Sequence, residues 1–318
     1  MDLITHFLVP YIILAAVRSK NKLEGALGGI SPDIDVIFAF TVGIIFPQYV
    51  IFSHRGITHS LIFGFITSTI FLYFISRKQV TEFINRVIKR DISLKFTKKT
   101  VGIAYFGVII HLLLDYLTYL GIPLFYPFII TRYSAEIYYF ADYFMMILGI
   151  FVILVLYLNI NKNYKKAAMV IFMIFLISFG GIRAYEKSDV INSETPTLNG
   201  NFSLIAVYPT RDMFTWKVVK SDAQNSIYFV SDYNTIKKQG SNIKIFKSLS
   251  IKNGSYRSAQ NAIKIANTYP GVKKLKWNSY YTIIEAEFNS SQWDITYFDI
   301  YTNEITNKIK VIVPLNEN

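Results

Sequence analysis

Residues 36–76, VIFAFTVGIIFPQYVIFSHRGITHSLIFGFITSTIFLYFIS, decide the fold. Two uncharged apolar runs, 36–52 and 61–76, enclose a dense polar turn, His54–Ser60. A membrane-spanning helix needs about 20 mostly apolar residues, with a range of about 17–25. Working outward, the runs 101–120, 143–160 and 167–182 have the same texture, and Leu3–Val17 is a shorter one containing Pro10 and stopped by Arg18. The basic cluster follows this first run instead of preceding it, which argues against a cleaved signal peptide. The pattern predicts an α-helical membrane bundle of about six segments.

Composition agrees. The chain has 318 residues, 52% hydrophobic and 17% charged, with mean hydropathy +0.34. Soluble domains carry about 25% charged residues. Disorder, collagen and coiled coil are excluded, and the absence of cysteine excludes a disulfide scaffold without locating the protein. The net charge of +12 has a topological explanation. Of the 16 Lys and Arg before residue 183, 14 follow the first, third and fifth segments, while Arg55 and Arg132 alone occupy the opposite loops. By the positive-inside rule the basic side faces the cytoplasm and the C-terminal domain lies outside. The charge therefore implies contact with anionic membrane lipids, and no nucleic-acid partner.

The expected division is 1–182 membrane domain, 183–200 linker and 201–318 a small β-rich (α+β) extracytoplasmic domain. Alternating stretches near Phe202–Tyr208, Trp216–Lys220, Ser226–Val230, Ile243–Phe246, Tyr280–Phe288, Trp293–Tyr301 and Lys308–Val313 predict strands, and Ser258–Ala266 predicts one helix. This part holds no His or Cys, so it offers no catalytic cluster.

Ionisable groups among apolar segments are costly and point to function. His111 and Asp115 lie four apart, on one helical face, with Thr118 a turn further. Such a pair serves as metal ligands, as ligand and orienter, or as a helix-packing hydrogen bond. Asp33 and Asp35 in Ser31-Pro-Asp-Ile-Asp35 would face one way in an extended segment, and Pro32 biases Ser31 toward that geometry. Two adjacent carboxylates call for a cation, although a helix N-terminus also accommodates aspartate. His54-Arg-Gly-Ile-Thr-His59-Ser60 adds two histidines, two hydroxyls and Arg55, whose planar fork suits phosphate. Thr5-His6 opens the first segment and echoes Thr58-His59.

These positions use all four histidines of the chain. The set His6, Asp33, Asp35, His59, His111 and Asp115 is a composition suited to a divalent metal, zinc first and manganese second. Hydrolysis is the chemistry it most naturally serves. His54, Arg55 and Asp35 are the catalytic candidates. Proton- or metal-coupled transport and a catalytically silent scaffold are the alternatives.

Taken in order, Thr5-His6, Pro32-Asp-Ile-Asp35, His54-Arg-Gly-Ile-Thr-His-Ser60 and His111-Leu-Leu-Leu-Asp115 with Thr118 and Gly121 resemble the YdjM-like membrane-bound metal-dependent hydrolases, also described as LexA-binding, inner-membrane-associated hydrolases. The resemblance implies a multi-pass protein of the inner or plasma membrane with metal-dependent hydrolase activity. The His-x-x-x-Asp helix suggests a more distant likeness to zinc-dependent phospholipase C. Ile110, where a small or polar residue is expected, departs from the pattern. Membrane location and Arg55 together make a lipid or lipid-linked phosphoester the expected substrate.

One tension remains in this reading. If 36–52 is a plain span, Asp33 and Asp35 fall on the opposite face from His6, about 25–30 Å away. A short re-entrant helix over Leu23–Ile30 would lift them to the histidines.

Overall fold

The computed structural model of the chain describes residues 1–46, 53–140, 142–195, 202–300 and 308–314. Two compact units emerge: Met1–Ile37 with His54–Glu186, and Phe38–Ser53 with Lys187–Asn318.

In the first unit, α1 (Leu3–Ala16) begins where the Asp2 carboxylate caps the amides of Ile4 and Thr5. Helix α2 (Lys22–Ile30) folds back against it, and a 3-10 turn at Pro32–Ile34 leads into α3 (Asp35–Phe40), followed by α4 (Val42–Ile45), which is counted with the second unit. A second 3-10 turn, Ile57–His59, precedes α5 (Leu61–Ile75), α6 (Lys78–Ile88), α7 (Lys98–Tyr116), α8 (Tyr143–Tyr157) and α9 (Lys162–Glu194). A capping box between Thr97 and Thr100 starts α7.

The crossing of α2 with α7 fixes everything near the site. A Cβ at Gly28 would lie 2.0 Å from the Ala104 carbonyl oxygen, and one at Gly107 would lie 2.0 Å from that of Gly25. Only hydrogen fits there, so backbone meets backbone as at small-residue crossings in membranes.

Six spans are not what the helices support. Among the described residues, α7 and α9 are long and apolar enough to cross a membrane. Helices α5 and α6 pass together only as a pair bent by 77°. At 14 and 15 residues, α1 and α8 reach about 21–23 Å, short of a hydrocarbon core of about 30 Å. The expected span 36–52 breaks at Thr41 into two short helices, and its residues 47–52 lie outside the described ones. Helices α5 and α8 nevertheless carry apolar side chains all round, with Phe65, Ile66, Ile147 and Phe151 outward, as a lipid-facing helix does.

The expected linker 183–200 begins within a helix. Helix α9 continues to Glu194, aided by an Arg183–Glu186 ion pair of 2.8 Å one turn apart. Residues 196–200 of that linker lie outside the described ones.

The second unit holds two four-stranded sheets. Strands β1 (Phe202–Pro209), β2 (Thr215–Asp222), β3 (Ile227–Asn234) and β4 (Gln239–Lys247) form an antiparallel meander over Val207, Trp216, Val218 and Tyr233. The second sheet runs β5 (Leu249–Lys252), β6 (Thr282–Asn289), β7 (Gln292–Asp299) and β8 (Ile309–Pro314). Because β5 and β6 are parallel, their connection must cross over, and α10 (Tyr256–Ala266) with α11 (Pro270–Asn278) provides it. The alanines 259, 262 and 266 let α10 lie close to Trp293 and Tyr297. The single helix expected here is therefore two, and β5 is an additional strand.

Candidate metal centre

Four separate chain segments meet at one end of the first unit. His6 comes from the first turns of α1, Asp33 from the 3-10 turn beyond α2 and Asp35 from the start of α3. His54–His59 precedes α5, and His111 and Asp115 occupy the last turns of α7. The aspartates do reach the histidines: Asp33 Oδ1 lies 3.4 Å from His59 Nε2. Ser31 is helical (φ −63°, ψ −34°), not extended, so the two aspartates reach the cluster from a tight turn. They address opposite edges of one imidazole. Asp35 Oδ2 sits 3.2 Å from His59 Nδ1, while Asp33 faces Nε2.

Hydrogen bonding fixes which nitrogens face inward. His111 Nδ1 lies 2.7 Å from the Gly29 carbonyl oxygen. A carbonyl only accepts, so Nδ1 carries the proton and Nε2 presents a lone pair. His59 Nδ1 is held likewise by Asp35 and by the Thr58 hydroxyl at 3.0 Å. Asp115 divides its two oxygens. Oδ1 receives His6 Nε2 at 3.2 Å, Arg55 Nη2 at 2.9 Å and the Met1 amino group. Oδ2 points the other way, 3.4 Å from His59 Nε2 and 3.5 Å from His111 Nε2.

The inner atoms are thus Asp33 Oδ1, His59 Nε2, His111 Nε2 and Asp115 Oδ2. The last three are buried without a hydrogen-bond partner, a state that is costly unless something pairs with them. Neighbouring separations run from 3.4 to 3.8 Å. Ligand atoms held about 2.0–2.1 Å from a tetrahedral zinc lie about 3.3 Å apart. Asp33, His59 and His111 form one group able to hold a metal ion, with oriented imidazoles of the kind metal sites use. His6 stacks on His111 with ring centroids 3.8 Å apart and forms a further candidate group with His111 and Asp115.

Charge follows the same layout. Burial opposes a charge on His59, but the carboxylates of Asp115, Asp33 and Asp35 outweigh it and push the imidazole up to about 10. Burial also opposes ionisation of Asp35, yet hydrogen bonds from His54 and His59 hold it below the usual carboxylate range.

The remaining expected site residues take other positions. His54, 40% exposed at its side chain, gives Nδ1 to Asp35 Oδ1 at 2.7 Å and forms the outer layer. Asp35 is engaged by His54, Thr58, His59 and the Arg55 amide, so it stands behind His59 instead of beside the inner four. A third candidate group, Asp35 with His54 and His59, uses that outer edge. Arg55 is buried, with Nη1 on Thr118 Oγ1 at 2.8 Å and Nη2 on Asp115, and its backbone is left-handed at φ 57°. That conformation is strained for a non-glycine residue and is retained here by bonds at both ends. Two contributors escaped the sequence reading. The Gly29 carbonyl and the Met1 amino group are backbone atoms, which residue types do not advertise.

Fold and site together define a class: an apolar helical bundle with a buried His/Asp cluster at one end. More particularly, the chain belongs to the family described as YdjM inner membrane protein, which matches residues 1–187. No curated protein and no solved structure matches the chain. The family match ends within α9, leaving both sheets outside it.

Proposed function

We propose that the inner four donors hold a divalent metal, zinc first, and that the protein is a membrane-embedded hydrolase of phosphoesters in lipid or lipid-linked substrates. The observation that carries this reading is the inward convergence of His59 Nε2, His111 Nε2 and Asp115 Oδ2, buried and unpartnered beside Asp33. When bound, such an ion supplies Lewis acidity to a phosphoryl oxygen and makes water more acidic at neutral pH. The chain supplies the rest. Asp35 orients His59 and, through the 2.7 Å bond, His54. With its Nδ1 proton committed to Asp35, His54 offers Nε2 to accept a proton from attacking water and return it to the leaving oxygen. Arg55 positions Asp115, and its Nε, which has no partner, faces the task of neutralising a phosphoryl oxygen. The basic loops support a multi-pass arrangement with those loops cytoplasmic and the C-terminal domain outside.

Metal analysis of the purified protein beside His111→Ala and Asp115→Ala tests the reading. Stoichiometric zinc or manganese in the parent, its loss in both variants, and loss of phosphodiesterase turnover with it are the expected results. A parent without stoichiometric metal would favour a silent scaffold. Bound metal with flux into proteoliposomes and no hydrolysis would favour transport.

A further inference from the structure

Away from the His/Asp cluster, the first unit contains a cavity of about 580 Å³ between α1, α2, α6 and α8. That lies within the range of about 300–1,000 Å³ common to small-molecule sites. Its walls are apolar. Leu23 and Leu27 come from one face of α2, and Ile84 and Ile88 from one face of α6. Helix α6 bends 77° away from α5, so its apolar side closes the cavity while Phe83 and Val87 stay outward.

The cations around the cavity are the informative part. Arg90 lines it, stands 4.9 Å from the centre of the Tyr157 ring and bonds the Tyr157 carbonyl. Lys22 stands 5.2 Å from the Tyr11 ring. Lys165 Nζ donates to the Leu156 carbonyl at 2.8 Å. Tyr11, Tyr157 and Leu156 all line the cavity. Arg90, from the connection after α6, therefore lines the apolar space itself, while Lys22 at the start of α2 and Lys165 in the first turn of α9 stand against residues of its wall. Among the described residues, no acidic one lines it. A soluble anion would not need the apolar walls, and a neutral hydrocarbon would not need the cations.

We infer that this cavity seats an acyl chain of an anionic membrane phospholipid, with the phosphate held at Lys22 and Arg90. The site is separate from the His/Asp cluster and does not rest on its being catalytic. Cations over aromatic rings suit a headgroup at the membrane interface, where Tyr and basic residues together anchor lipid.

The full-length protein, purified in detergent and stripped of lipid, is titrated with phosphatidylglycerol and with phosphatidylcholine of identical chains, and binding is read by native mass spectrometry. Phosphatidylglycerol should bind at least tenfold more tightly. Shortening its chains should weaken binding about fourfold for each methylene withdrawn from the cavity. The double variant Lys22→Gln, Arg90→Gln should abolish the preference for phosphatidylglycerol and leave phosphatidylcholine binding unchanged. Leu27→Trp, which fills the cavity, should remove the chain-length dependence while the helical circular dichroism is retained. Equal binding of the two lipids by the parent would overturn the inference. So would a preference that survives the double variant, or displacement of phosphatidylglycerol by palmitate at equal concentration.

Discussion

Replacing Gly28 by alanine should damage the site from a distance, whereas the same replacement at Gly102 should not. An alanine Cβ at position 28 would stand 2.0 Å from the Ala104 carbonyl oxygen and 2.6 Å from its Cα, when real Cβ contacts stay beyond 3.0 Å. The obstacle is backbone, so no rotamer change relieves it and α2 must retreat from α7 by about 1 Å. That retreat stretches the 2.7 Å bond from His111 Nδ1 to the Gly29 carbonyl past hydrogen-bonding range. Overpacking costs about 1–3 kcal/mol, a broken buried hydrogen bond about as much, and better helix propensity returns about 1 kcal/mol, for a net loss near 3 kcal/mol. At Gly102 in α7 nothing lies within 4 Å of the added methyl. Only the propensity gain of about 1 kcal/mol applies there. Thermal unfolding followed by far-ultraviolet circular dichroism reads the helices. Tryptophan fluorescence would not, since Trp216, Trp277 and Trp293 all lie beyond them. A Gly28→Ala protein melting at or above the parent temperature would refute the crossing argument, and a Gly102→Ala protein melting with it would show a general intolerance instead.

Asp115→Asn removes the charge facing Arg55 and should lower stability by about 3–5 kcal/mol, because a buried guanidinium loses its anion; Asp115→Asn melting like the parent would show the pair to be unimportant. Metal affinity of the stripped protein should rise about tenfold per pH unit between about pH 6 and pH 9, then level off near pH 10. The sign follows from His59, which keeps its proton up to about 10 and must lose it to expose Nε2; a flat profile in isothermal titration would contradict it. Trp293→Ala should cost about 3–5 kcal/mol and expose the second sheet to limited proteolysis, since that ring is fully buried against α10; an unchanged cleavage pattern would argue otherwise.

The apolar runs made the helical character of residues 1–182 legible, and alternation made most strands legible. Span number was not, because hydropathy registers composition while Thr41 and the turn after Ile75 interrupt helices without changing it. Strand β5 has four residues, too few for a period to declare itself. At the site, residue type and spacing singled out the histidines and aspartates that do converge. Their layering was not legible. Asp33 and Asp35 are chemically identical, and only the 3-10 turn decides that one faces His59 Nε2 and the other Nδ1. Arg55 illustrates the same limit: its fork reads as a phosphate ligand, and only the fold shows it holding Asp115 and Thr118.

The four inner donors span positions 33 to 115 of a chain that contains no cysteine. An ion held among them would act as a cross-link, closing one loop of chain between Asp33 and His59 and another between His59 and His111. Such closure removes conformational freedom from the unfolded chain much as a disulfide does. In a reducing compartment it would also persist where a disulfide would not. The tether is reversible, so metal supply would govern how long the bundle survives as well as what it does.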